Sequence, residues 1–105
     1  MGTHGQGLSV WLETGQADGI RVVIGGSARD GQLEPLVAAF RQAVQAKQNI
    51  TLDLRGLEYF GIGFAGQLLM LEKAVVKGSR RLTIGGAISP VRRALEWCGL
   101  NHLNG

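Results

Sequence analysis

The sequence predicts a single α/β domain: a four- to five-stranded mixed sheet with three to four helices packed on it, in the order β-β-α-β-α-β-α. Three observations predict it. Leu8, Val10, Leu12 and later Ile50, Leu52, Leu54 alternate with polar or amphipathic neighbours, the period of half-buried strands. Two further segments place apolar residues at helical spacing: Leu33, Val37, Phe40, Val44 and Phe64, Leu68, Leu71, Val75. After an initial hairpin, strand and helix alternate to the end, which implies crossover connections and mostly parallel pairing. A chain of 105 residues, 45% of them hydrophobic, has room for one domain with one core.

The elements follow in order. Residues 1–7 read as a flexible tail, with the domain occupying residues 8–105. The strand at Leu8–Leu12 leads through turn chemistry at Thr14–Gly19 into the β-branched run Ile20–Ile24, and Gly25-Gly26 is expected to stop it. Asp30 is placed to cap the next helix, and Pro35 is acceptable only near that helix's start. A central strand spans Asn49–Leu54, and Gly56 is expected to break it. Gly61 or Gly63 opens a second helix that runs to about Lys77, with Leu69, Met70 and Val76 on its flanks. Gly78 suits the left-handed residue that follows a helix. Arg80–Gly85 is the fourth strand. Ser89-Pro90 reads as a cap followed by a first-turn proline. The last helix buries Val91, Leu95 and either Trp97 or Cys98, and ends at Gly99, after which Leu100 and Leu103 fold back on the core.

Composition excludes several functions. Net charge is +3, from 11 basic and 8 acidic residues, and the basic residues form no stripe interleaved with the six aromatics. No nucleic-acid partner is expected. No apolar run reaches the roughly 18 residues of a membrane span. Cys98 is the lone cysteine, so no intramolecular disulfide can form, and a reducing, cytoplasmic setting is expected. Its apolar neighbours predict a buried, inert thiol.

Catalysis requires converging reactive groups, and few are present. The two histidines, His4 and His102, lie at opposite ends of the chain and read as solvated. No Cys/His spacing fits zinc, and no phosphate-loop motif occurs. Gly61, Gly63 and Gly66 miss the dinucleotide fingerprint by one position, so they read as packing glycines. Asp53 is expected to satisfy donors near the end of its strand. No metal, cofactor or catalytic residue is assigned. The strongest candidate site is the helix start at Gly61-Ile62-Gly63-Phe64. A helix N-terminus offers free amides and partial positive charge, and with no competing carboxylate nearby Gly61 and Gly63 are candidates to bind an anion. Tyr59, Phe60, Ile62 and Phe64 make the same tip apolar, and together with Gln67 they point to a partner surface.

Two stretches carry a family resemblance. ITLDLRGLEYF, residues 50–60, and RRLTIGGAISPVRRALEWCGL, residues 80–100, resemble the third strand and the last strand and helix of STAS domains. These are the domains of anti-sigma factor antagonists and of the cytoplasmic parts of sulfate transporters. The likeness spans roughly residues 8–104. It implies a non-catalytic interaction module whose partner is an anti-sigma factor or kinase-like protein, with homodimerisation left open. The family's usual Asp-Ser-Ser-Gly motif falls on Gly61, Ile62, Gly63 and Phe64. The phosphoacceptor serine is thus replaced by Gly63, which cannot be phosphorylated, and no hydroxyl nearby stands in for it. Gly63-Phe64-Ala65-Gly66 also resembles STAS-like domains attached to bacterial polysaccharide glycosyltransferases. The alternatives are therefore an accessory domain, with the catalytic part of a parent protein as its partner, and a nucleotide or anion sensor at residues 61–66.

Overall fold

A computed structural model describes residues 3–5, 7–17 and 19–103. The elements are β1 (Thr3–Gly5), β2 (Leu8–Gln16), β3 (Gly19–Ala28), α1 (Glu34–Gln45), β4 (Ile50–Phe60), α2 (Ile62–Lys77), β5 (Leu82–Gly85) and α3 (Ser89–Trp97), followed by a 3-10 turn at Asn101–Leu103. The five strands lie side by side in chain order. The β1–β2 and β2–β3 pairs are antiparallel, and β3–β4 and β4–β5 are parallel. This is the expected mixed sheet, with β4 inside it. The sheet begins before Leu8, because Thr3 to Gly5 pair with Val10 to Leu8 inside the segment read as a tail. For residues 1, 2 and 6 the expectation of a flexible tail lies outside the described residues, as does the side chain of His4.

One face of the sheet carries the core. Leu8, Val10, Ile20, Val22, Ile24, Ile50, Leu52, Leu82 and Ile84 are buried. Their neighbours Ser9, Trp11, Arg21, Val23, Thr51 and Thr83 are only half covered. The helices pack on the first set. α2 contributes Phe64, Leu68, Leu71 and Val75, as its spacing predicts. α1 buries Leu36, Ala39, Phe40 and Ala43, while Leu33, Val37 and Val44 are half buried. Its inward stripe is therefore rotated from the expected one, since the small Ala39 and Ala43 let that side lie close to the sheet.

Against expectation, neither glycine break ends its strand. β3 runs through Gly25-Gly26 to Ala28, and β4 through Gly56 to Phe60. Gly25 and Gly56 are ladder partners, and a Cβ on Gly56 would lie 3.4 Å from the Gly25 Cα, so the bare backbones allow close approach. Gly26 has φ +84°, and a Cβ there would run into the carbonyl oxygen of Gly7. The ladder accommodates two bulges. From Val23↔Asp53 to Gly25↔Gly56, β4 advances three residues against two, and from Gly26↔Leu57 to Ser27↔Tyr59 it advances two against one. The added residues reset the alternation so that both Leu54 and Leu57 face the core.

The helix ends also depart from local expectation. Gly78 has φ −86°, and the left-handed residue after α2 is Ser79, at φ 59°. Ser79 N–H donates to Val76 and Arg80 N–H to Val75, the paired bonds that close a helix around its left-handed residue. Gly99 plays that part after α3, at φ 73°, as expected. Ser89 lies inside α3 and caps nothing. Its hydroxyl accepts from the Arg92 guanidinium at 3.3 Å. Leu100 and Leu103 are buried, but Trp97 is 90% exposed and Cys98 is exposed too. At about 100° per residue Trp97 lies some 200° around α3 from Leu95, so burying Leu95 turns it outward. Cys98 sits past the last helical residue with little packed over it.

Candidate functional site

Past its two bulges β4 runs on beside β3 to its C-terminal end, where it delivers Tyr59 and Phe60 to the start of α2. Gly61 N–H donates to the Ala28 carbonyl at 2.9 Å and ties this end of β4 to the end of β3. The helix begins at Ile62, with an extended Gly61 preceding it. The aromatic residues then divide. Phe60 and Phe64 turn inward, with ring centroids 5.0 Å apart, and join the core. Tyr59 stays 51% exposed, with the Arg29 guanidinium 5.5 Å above its ring, and Ile62 is 81% exposed. Gln67 is half buried on the next turn. Of the seven residues expected to form a partner surface, Tyr59 and Ile62 therefore supply the accessible apolar area, and Phe60 and Phe64 support it from below.

The first turn of α2 carries no acidic residue of its own. The carboxylate at its start comes from Asp30, in the β3–α1 connection, whose Oδ1 accepts from the Gly63 N–H at 2.9 Å. Asp30 is thus a cap, but for α2 and not for α1, which starts at an uncapped Leu33 with Pro35 in its first turn. This corrects the premise that no carboxylate competes for the Gly61–Gly63 amides. The contact also explains the glycine. A Cβ on Gly63 would lie 2.9 Å from Asp30 Oδ1 and 3.0 Å from Leu33 Cδ1, so any side chain there presses on the cap. Local reading missed Asp30 because 33 residues separate donor and acceptor, and its spacing from α1 suggests a nearer task.

Some of the remaining charged groups pair with one another. Asp53 is buried, as a satisfied strand residue should be. Its Oδ1 accepts from the Arg55 backbone N–H and Nε, both at 3.1 Å, and its Oδ2 from Arg55 Nη2 at 2.7 Å, with Arg21 3.7 Å away. The Arg55 hydrogen bonds hold its carboxyl below the ordinary value despite burial. His102 is not simply solvated: its Nε2 lies 2.6 Å from Glu72 Oε2. Among the described residues no cluster of His, Cys, Asp and Glu could hold a metal ion, and no helix is long and apolar enough to cross a membrane.

Comparison with known proteins agrees with this architecture. The family model described as "Mlab, STAS domain" matches residues 12–105. Among solved structures, the anti-sigma factor antagonist SpoIIAA in its unphosphorylated form superposes with a TM-score of 0.80 at 16% identity, over 91% of this chain and 85% of that one. The phosphorylated form of the Bacillus cell fate determinant SpoIIAA gives a TM-score of 0.70 at 15% identity, over 91% and 88%. At such identities the likeness is one of fold. No curated protein matches the sequence.

Proposed function

We propose that this chain, which belongs to the STAS domain family, is a non-catalytic protein-docking module whose contact surface at the start of α2 works without a phosphorylation switch. The observation that carries this reading is the position of Ile62. It is 81% exposed, next to the capped Gly63 and beside the half-exposed Tyr59. A large apolar side chain held outward by a fixed helix start is costly to leave in water and suits a partner's pocket. Gly61, Gly63 and Gln67 complete the surface. Where phosphate would add charge and block docking, Gly63 offers no hydroxyl. The Asp30 carboxylate bonded to the same turn counts against a nucleotide or other anion at this place, because a second negative group would meet it there. The expected partner is an anti-sigma factor or kinase-like protein, by likeness of fold to an anti-sigma factor antagonist.

The test is co-purification of the tagged chain with the products of neighbouring genes, with wild type and with Ile62→Asp. Losing Ile62 is expected to weaken capture of the partner at least about tenfold, the scale of a central interface residue. The substitution is exposed, so circular dichroism should be unchanged. A partner captured equally by wild type, Ile62→Asp and Tyr59→Ala would overturn the assignment of this surface.

A further inference from the structure

A second surface lies away from that tip, in the groove between α1 and α2. Its floor and walls come from Val37, Phe40 and Val44 of α1 and from Met70, Leu71 and Ala74 of α2, around a volume of about 410 Å³. The groove continues past Val44 and Ala74 into a second hollow of about 310 Å³ at the C-terminal ends of both helices. Met70 stands 64% exposed on the rim, an unbranched and adaptable side chain suited to varied apolar partners.

The charge lining these two hollows has one sign, and Glu34 lines only the adjoining hollow beyond Val37 and Arg41. Arg41 lines the first hollow, and Lys47, Lys77 and Arg80 line the second, while no carboxylate among the described residues lines either. None of these four cations enters an ion pair among the described residues. Arg80 is held in place through the carbonyls of Lys47, at 2.6 Å, and Gly78, at 3.0 Å. Cations at the ends of α1 and α2 offset the negative helix termini. That accounts for Lys47 and Lys77 in part, but not for Arg41, which lies a turn before the end of α1 and enters no ion pair among the described residues.

From this complementarity we infer that the α1–α2 groove is a docking site for an acidic amphipathic helix of a partner protein. Its apolar stripe would lie along Val37, Val44, Met70 and Ala74, and its carboxylates would face Arg41, Lys47 and Lys77. A second copy of this chain offers no such helix: α1 and α2 hold one Glu each and no Asp, and α3 carries Arg92-Arg93 against one Glu. Gln67 lines the first hollow and borders both surfaces, but Tyr59 and Ile62 line neither hollow, so variants at those two residues test the surfaces independently.

The experiment titrates the full ¹⁵N-labelled chain with two designed helical peptides of about 14 residues, roughly 21 Å long. They share a leucine stripe, and their polar faces carry only Glu or only Lys. The expected result is amide shifts around Val37, Val44, Met70 and Ala74 with the Glu peptide, and binding at least about tenfold weaker with the Lys peptide. The double variant Lys47→Glu/Lys77→Glu should reverse that preference, and Ile62→Asp should leave it unchanged. Equal binding of both peptides, shifts centred on Tyr59 and Ile62, or no shift at millimolar peptide would overturn the inference. So would concentration-dependent dimerisation abolished by Met70→Glu, or sedimentation with anionic phosphatidylglycerol vesicles abolished by the Lys47/Lys77 reversal.

Discussion

Asp30 Oδ1 accepts a hydrogen bond from the backbone N–H of Gly63 at 2.9 Å, so the first turn of α2 is capped by a carboxylate 33 residues earlier in the chain. The bond joins the β3–α1 connection to the helix that presents Ile62. It also makes Gly63 a position where a side chain disturbs the site. Asp30→Ala should cost about 1 kcal/mol, as for other lost N-terminal caps. Gly63→Ser should destabilise, because its Cβ would lie 2.9 Å from Asp30 Oδ1 and 3.0 Å from Leu33 Cδ1, and the Asp30 carboxylate would have to shift off its bond to the helix start. Since both changes strike one contact, the double variant should cost less than the sum, which a denaturant double-mutant cycle would measure.

Neighbouring residues of the tip should respond in opposite ways. Phe64 is fully buried against Phe60, and Phe64→Ala should cost about 3–5 kcal/mol, a large share of a small domain's stability. Ile62→Ala, two residues away, should change stability by no more than about 0.5 kcal/mol. Urea midpoints of the two variants check the division of the tip into buried support and exposed side chains.

Ser79 occupies the left-handed region at φ 59° after α2. A residue with a Cβ pays strain there that glycine does not. Ser79→Gly should therefore stabilise the fold by about 0.5–1 kcal/mol, raising Tm by a few degrees in calorimetry. No change in Tm would mean that the side chain contributes as much as its backbone strain costs.

The Asp53–Arg55 contact makes stability depend on acid pH. The carboxyl is held below its ordinary value by hydrogen bonds from Arg55, so folding favours the ionised form. Its contribution is complete above the ordinary carboxylate range and is lost as pH falls through the lower folded value. Wild type should lose stability progressively below about pH 4. Asp53→Asn should be less stable at pH 7, by a small amount given the exposure of Arg55, and should show a shallower decline in acid. Chemical unfolding from pH 7 to pH 2.5 reads both.

Cys98 is exposed, contrary to its apolar surroundings in sequence. It should react fully with a thiol reagent in the native protein, without denaturant. Protection that is lifted only on unfolding would contradict its placement.

Sequence by itself determined the architecture. The alternation at Ile50, Leu52 and Leu54 and the spacing of Phe64, Leu68, Leu71 and Val75 report burial on one face, and burial is the dominant local constraint on a strand or helix. Element order and parallel pairing followed from these periods. That position 63 is a glycine, with no hydroxyl to phosphorylate, was equally legible, because it is a matter of residue identity. What only the tertiary structure decided was where side chains point when two requirements compete. Gly25 and Gly56 look like strand breaks in one dimension, but they face each other across the ladder and let it continue. Trp97 is apolar yet faces water, because Leu95 takes the inward side of a short helix. Asp30 resembles a cap for the helix beside it and instead caps α2, a role set by the approach of β3's end to β4's end. Such contacts depend on distances between residues far apart in the chain, and local periodicity carries no information about those distances.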